Sequence, residues 1–193
     1  MKFLLSLGVT AAVLVGCGNG ATGGSGGGGG GGGNGGGTAD PQNPPTSSAA
    51  AVEQWIASGV YKSWACEPAS HDNRSPSPHG KNRICSNAKL SGAPDAGQYP
   101  VDSASVKELF DTAGTAVVGY AVYRHVSAGT TGDTWYWYER VPLASAAPHD
   151  DAGVVANGVG GTGPAKDICV GCHQGAGSDV NHSGHDFVYT QVK

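Results

Sequence analysis

The stretch TAVVGYAVYRHVSAGTTGDTWYWYERV, residues 115–141, decides the fold class. Its two halves, 115–126 and 133–141, are rich in Val, Tyr and Trp, and such β-branched and aromatic residues favour strands. In the second half, Trp and Glu alternate with Tyr and Arg, so the two sets lie on opposite faces. The connection 127–132 contains two glycines, which predicts a hairpin of antiparallel strands.

The elements around this hairpin predict a small mixed domain. Ser48 is a suitable cap for a helix that ends near residue 58 and presents Val52, Trp55 and Ile56 on one face. Two further strands are predicted at 83–87 and 101–110, a short helix at 164–173, and a short strand or extended tail at 185–190. The fold class is therefore α+β, a predominantly antiparallel β-sheet with a few short helices.

The alternation of strand 101–110 places Lys107 and Glu108 on opposite faces. Val106, Glu108 and Phe110 alternate with Ser105, Lys107 and Leu109.

The C-terminal helix contains Cys169-Val170-Gly171-Cys172-His173, the C-x-x-C-H attachment motif of a c-type haem. Two thiols one helical turn apart bond the two vinyl groups of one haem, and the adjacent His becomes the proximal iron ligand. A redox dithiol would follow a strand in a βαβ unit, and a zinc ribbon would need a second C-x-x-C; the sequence has neither. We therefore expect one covalently bound haem c (heme c), held by Cys169, Cys172 and His173.

The N-terminal residues resemble those of a bacterial lipoprotein. Residues 1–16 have a positive start and an apolar stretch, as in a signal peptide. Cys17 then completes LVGC, which resembles a lipobox, whose Cys is acylated, and the absence of Asp after it is typical of outer-membrane sorting. We predict a signal peptide at 1–16, a lipidated Cys17 with a disordered tether at 17–48, and a haem domain at 49–193, in the periplasm or at the cell surface.

The tether prediction depends on composition, because 15 of the 20 residues at 18–37 are Gly. Such a segment buries too little apolar surface to offset the entropy of ordering. The formal net charge of the whole chain is −4 and it has no basic run, which excludes a nucleic-acid binder that depends on phosphate contacts.

Two of the five cysteines, Cys66 and Cys85, are not used by lipid or haem. In an exported chain they are expected to form a disulfide, which would stabilise the fold by roughly 3 kcal/mol in the chain-entropy model.

The sixth coordination position of the iron has few candidate ligands. Met1 is the only methionine and is removed with the signal peptide, so a Met/His iron is excluded. An open distal site is favoured, since no histidine has an obviously inward sequence context. The alternative is a second axial histidine and an electron-transfer cytochrome, which needs a redox partner protein; its candidates are His71, His79, His125, His149, His182 and His185.

The order of these features resembles the cytochrome P-460 family, which includes cytochrome c′-beta. The matching segments are a helix with Trp; His79-Gly80 followed by Arg83 and Asn87; Tyr99-Pro100 leading to VKEL; the GYAVY and WYWYE strands; C-x-x-C-H; and DFVYT. The resemblance covers about residues 50–193 and implies an antiparallel sheet with flanking helices, often in a homodimer, and a five-coordinate iron.

The resemblance also implies ligands and site residues. P-460 enzymes oxidise hydroxylamine and handle nitric oxide with a Lys cross-linked to the haem and a distal carboxylate, whereas c′-beta proteins bind nitric oxide in an apolar pocket without the cross-link. Lys107 is the nearest candidate for the cross-link, and Glu108 or Glu139 for proton transfer. The simpler alternatives are a solvated strand residue for Lys107 and an ion pair of Glu139 with Arg140 and Arg124.

Overall fold

The computed structural model describes residues 40–193. The predicted signal peptide, Cys17 and the Gly-rich part of the tether lie outside these residues. Within residues 40–193, no helix has the length and apolar composition needed to cross a bilayer.

One six-stranded sheet organises the domain, and each strand pairs only with its neighbours in sequence, all antiparallel. The predominantly antiparallel α+β prediction is confirmed. The strands are β1 Ala65–Cys66, β2 Asn82–Ser86, β3 Ala104–Phe110, β4 Val117–His125, β5 Trp135–Arg140 and β6 Val154–Val159. The predicted hairpin is the β4–β5 pair, in which Tyr123 lies opposite Trp137.

The helices are short and surround the sheet. They are α1 Ala49–Ala57, α2 Ala88–Ser91 and α3 Gly171–His173, with 3₁₀ turns at Val60–Ser63 and Gly132–Thr134 and a wide, π-type helical segment at Ala165–Val170 that continues into α3. Ser48 caps α1 as predicted, since its Oγ accepts a hydrogen bond from Ala51 N at 3.2 Å.

The two faces of the sheet bury different sets of side chains, as the alternation in β5 predicts. Tyr136 and Tyr138 pack with α1 through Val52, Trp55 and Ile56, all buried. Trp135 and Trp137 lie on the other face, against the segment that carries Cys169. The face with the Trp residues is therefore the one that meets the C-x-x-C-H motif.

The folded unit begins before residue 49, where the tether was predicted to end. The carbonyls of Asp40 and Pro41 accept hydrogen bonds from the indole N–H groups of Trp55 and Trp64 at 2.9 and 2.7 Å. Buried indole donors need acceptors, and these backbone groups supply them. Residues 40–48 are therefore part of the domain.

One predicted element needs correction and one strand was missed. Residues 185–190 do not form a strand; they make a turn closed by an isolated bridge between His185 and Val188, with Asp186 and Phe187 at positive φ. Strand β6 was not predicted, because Asn157-Gly158 in its sequence is typical of a turn.

Candidate functional site

The helical segment with the motif lies against β5, β6 and the turn before β5. Val170 contacts Gly132 and Gly160 so closely that a Cβ on either glycine would lie 2.3 or 2.4 Å from a Val170 methyl carbon. The two glycines therefore let the segment approach the sheet. They fix the position of the two free thiols, of which Cys169 is buried and Cys172 half-buried.

His173 is held by one hydrogen bond and three aromatic rings. Its Nδ1 lies 2.7 Å from the carbonyl oxygen of Phe187 and donates to it, because a carbonyl can only accept. The rings of Trp137, Tyr189 and Tyr123 surround the imidazole at centroid distances of 4.7, 5.4 and 5.9 Å. This arrangement fixes the tautomer and leaves the Nε2 lone pair free, as in metal-ligating histidines.

Burial lowers the pKa of His173 to about 3, against the opposing effect of the hydrogen bond to Phe187. The imidazole is therefore neutral near pH 7. The ring lies in the wall of a large cavity. A neutral, oriented imidazole is the form that binds iron.

The cavity measures about 610 Å³ and contains the motif residues in its wall. This volume lies in the range of about 300–1,000 Å³ typical of ligand and cofactor pockets. The wall is mainly apolar and aromatic, and the residues concerned include Leu109, Phe110, Val118, Ala121, Tyr123, Trp137, Val141, Ala144, Ala147, Val155 and Ile168. Cys169, Cys172 and His173 therefore face a space of the size and polarity that a flat apolar cofactor needs.

The polar residues that line this cavity include His79, Lys107 and Glu139, together with Asp111, Thr112 and Ser145. Lys107 and Glu139 both pair with Ala121 across the sheet, so they lie in one row on the same face, with one strand between them. The imidazole Nδ1 of His79 lies 3.1 Å from Oε1 of Glu139, and both side chains are nearly buried.

Lys107 is half-buried on the cavity wall, so it is not the solvated strand residue of the simpler alternative. Burial lowers the pKa of its amine to about 8, while the nearby Glu139 and Glu67 act in the opposite direction. About half of the amine is therefore neutral, and nucleophilic, near pH 8.

The predicted ion pair of Glu139 with Arg140 and Arg124 is wrong. Arg140 Nε lies 3.1 Å from Glu53 Oε1, and Arg124 bonds Asp102 at 2.7 Å. The reason is the alternation of the strands, which puts neighbouring Glu139 and Arg140 on opposite faces, together with a register that pairs Arg124 with Tyr136.

The structure does not bring Glu108 to the cavity. This carboxylate lies on the opposite face, 2% exposed, and accepts hydrogen bonds from Tyr61 OH at 2.7 Å and Arg83 Nε at 2.8 Å. The bond to Glu108 and burial both raise the pKa of Tyr61, with burial the larger cause. Glu108 therefore joins a buried structural network away from the motif.

The remaining histidines are held elsewhere. His125 is buried, stacks on Trp135 at 4.5 Å and directs Nδ1 to the Tyr99 carbonyl at 2.8 Å. Of the six candidate axial ligands, His79 shares the cavity with His173, and the others do not line it. In the sequence, His79 is one of six candidates and part of the His79-Gly80 segment, but the sequence does not predict its contact with Glu139, which is 60 positions away in the chain.

The disulfide between Cys66 and Cys85 is present and joins β1 to β2, where the two residues pair directly. Among residues 40–193, no group of three or more His, Cys, Asp or Glu side chains forms a metal-binding cluster. A haem iron needs no such cluster from the protein, because the porphyrin nitrogens supply its equatorial ligands and the protein supplies the axial ones.

The residues of the site fit a c-type haem better than a redox dithiol. Burial raises the pKa of the Cys169 thiol to about 12, whereas a redox-active C-x-x-C cysteine has a lowered pKa. The free Nε2 of His173 and the apolar cavity suit an axial ligand and a porphyrin. Comparison of the chain with protein-family models and with curated proteins gave no match.

Proposed function

We propose that this protein is a c-type haem protein that binds or converts nitric oxide or hydroxylamine. Cys169 and Cys172 would hold one haem c through thioether bonds, and His173 would be the proximal ligand. The observation that carries the proposal is the hydrogen bond from His173 Nδ1 to the Phe187 carbonyl, which leaves Nε2 free in a cavity that both thiols line.

The chain's own residues have separable tasks in this proposal. Phe187 holds the tautomer of His173, while Trp137 and Tyr123 restrict the rotation of its ring. The apolar part of the wall would pack against the faces of the haem and limit the access of water to it. When bound, the haem iron supplies a redox-active centre with affinity for small nitrogen ligands.

A catalytic role in hydroxylamine or nitric oxide oxidation is the more specific form of the proposal. It is favoured by Lys107, whose amine lies in the same cavity as His173 and is partly neutral near pH 8. Glu139 and His79 add groups that accept and donate protons at the same wall. The enzyme hypothesis predicts a covalent bond between Lys107 and the haem edge, and tryptic mass spectrometry that finds the Lys107 peptide free would reject the cross-link.

The cellular placement is also a proposal, and it depends on the sequence. Acylation of Cys17 would anchor the protein in a membrane, because each buried CH₂ of the acyl chains contributes about 0.8 kcal/mol. The absence of Asp after Cys17 favours the outer membrane. Residues 18–39 would then link the anchor to the domain, which begins near residue 40.

The test of the function is the absorption spectrum of the mature protein in its reduced state, before and after nitric oxide is added. The proposal predicts a c-type haem spectrum that shifts on addition of the ligand. A c-type spectrum that nitric oxide leaves unchanged would contradict ligand binding and favour the electron-transfer alternative.

A further inference from the structure

His79 occupies a place in the cavity that the proposed function does not yet use. It lies on the loop between the isolated bridge at His71 and strand β2, flanked by Pro78 and Gly80. It lines the main cavity and also a small adjoining one, and His173 lines both. The two imidazoles therefore reach the same space from separate elements of the fold.

The surroundings of His79 favour one tautomer. The carboxylate of Glu139, 3.1 Å from Nδ1, favours a proton on that nitrogen, which leaves the lone pair on Nε2. Within residues 40–193, no hydrogen bond to Nε2 of His79 is present. A carboxylate beside one ring nitrogen and a free second nitrogen is the usual environment of a metal-ligating histidine.

His173 shows the same arrangement, with Nδ1 engaged by the Phe187 carbonyl and Nε2 free. His125 has the same hydrogen-bond arrangement, with Nδ1 at the Tyr99 carbonyl and Nε2 without a partner, but its ring stacks on Trp135 and does not line the cavity. His71 is excluded in another way, since both its nitrogens have partners, Glu67 at 2.9 Å and the Asp72 carbonyl.

We propose that His79 binds the haem iron through Nε2 at the sixth position in the resting protein, and that a small nitrogen ligand displaces it. The proposal rests on the haem of the proposed function. The exchange breaks one bond from iron to Nε2 and forms one to the ligand, with no transfer of electrons. Glu139 would act as a positioning residue that orients the imidazole.

The loop position of His79 is what makes displacement possible. The residue belongs to no strand, so it can leave the iron without breaking the hydrogen bonds of the sheet. Gly80 next to it has φ of +45°, and no heavy atom lies within 4 Å of the place where its Cβ would be. The space beside Gly80 is therefore open, and one side-chain hydrogen bond, from Asn82 Nδ2 to the Gly80 carbonyl at 2.8 Å, holds the loop there.

The test uses ferric holoprotein whose covalent haem content is first measured by the pyridine haemochrome method. Wild type should give the low-spin electron paramagnetic resonance signal of two axial imidazoles, His79→Ala should lose it and become high-spin, and added imidazole should restore it. The matched control His125→Gln should stay low-spin. A high-spin wild type, or a low-spin His79→Ala, would overturn the proposal.

Ligand kinetics on the reduced protein provide a second measurement that needs no variant. In wild type, the rate of nitric oxide binding should level off as the concentration rises, because departure of His79 becomes limiting. Glu139→Gln should raise this limiting rate. A wild-type rate that stays proportional to nitric oxide concentration contradicts the proposal, whether or not His79→Ala accumulates. Absence of covalent haem would instead reject the proposed function itself.

Discussion

The buried carboxylate of Glu108 tests whether Glu108 and Glu139 lie on opposite faces of the sheet, with Glu108 in a structural network and Glu139 at the cavity. Glu108→Gln keeps the shape of the side chain but removes its charge. The carboxylate accepts one hydrogen bond from Tyr61 OH and one from Arg83 Nε, and it is 2% exposed. Hydrogen bonds to a charged group contribute about 1.5–3 kcal/mol each, and the amide can still accept one of the two. We therefore expect the free energy of unfolding to fall by roughly 3 kcal/mol, the upper end of the range for one hydrogen bond to a charged group.

Urea denaturation followed by circular dichroism measures this loss. With a slope near 2 kcal/mol/M, the midpoint of unfolding should fall by about 1.5 M. The haem absorption spectrum and the nitric oxide kinetics should stay as in wild type, because Glu108 lies on the face opposite the motif. The comparison variant Glu139→Gln should change the kinetics instead. A stability loss below about 1 kcal/mol, or an altered haem spectrum in Glu108→Gln, would refute the assignment.

Three other predictions concern the cavity and the disulfide. Burial lowers the pKa of Lys107 from 10.5 to about 8, so between these pH values the unfolded chain binds a proton that the folded protein does not. The free energy of unfolding should therefore fall as the pH decreases through this window. Lys107→Met should abolish that fall, measured by urea titrations at about pH 7 and about pH 10. Cys66→Ala with Cys85→Ala opens a disulfide between residues 19 apart and should cost about 3 kcal/mol in thermal or urea unfolding, with haem content unchanged. Gly132→Ala forces a methyl group against Val170 and should lower the yield of covalent haem, measured against total protein.

Local sequence patterns predict the parts of the fold that depend on alternation. The aromatic order in 133–141 assigns Trp135 and Trp137 to one face and Tyr136 and Tyr138 to the other, and the structure confirms this. The same rule places Lys107 and Glu108 on opposite faces of the sheet. The rule cannot say which face meets the C-x-x-C-H segment, because that depends on the direction in which the short connection 160–164 leaves β6.

The polar wall of the cavity lies beyond such local rules. Lys107 and Glu139 share a row only because β3, β4 and β5 pair in one particular register, and His79 reaches Glu139 from a loop across 60 residues of sequence. The proximity of Glu139 to Arg140 in sequence suggested an ion pair that the alternation of a strand forbids. The side chains of adjacent residues in a strand lie on opposite faces of the sheet, so ion pairs between strand residues must be assigned from the register between strands.

The residues before α1 show a similar limit. Pro and Thr residues at 38–48 are typical of a linker, yet the carbonyls of Asp40 and Pro41 satisfy the indoles of Trp55 and Trp64. Composition predicts how such a segment behaves in isolation. Whether it is ordered in the protein depends on buried hydrogen-bond donors in other elements that need its carbonyl groups as acceptors.

The proposed function depends above all on one haem c bound covalently to Cys169 and Cys172. It is tested most directly by the intact mass of the mature protein, made in a host that attaches haem c, followed by tryptic mass spectrometry. We expect a mass increase of one haem, located on the peptide that contains Cys169, Cys172 and His173, and lost in a variant with both cysteines changed to Ala. A mature protein with both thiols free, or joined to each other in a disulfide, would contradict it.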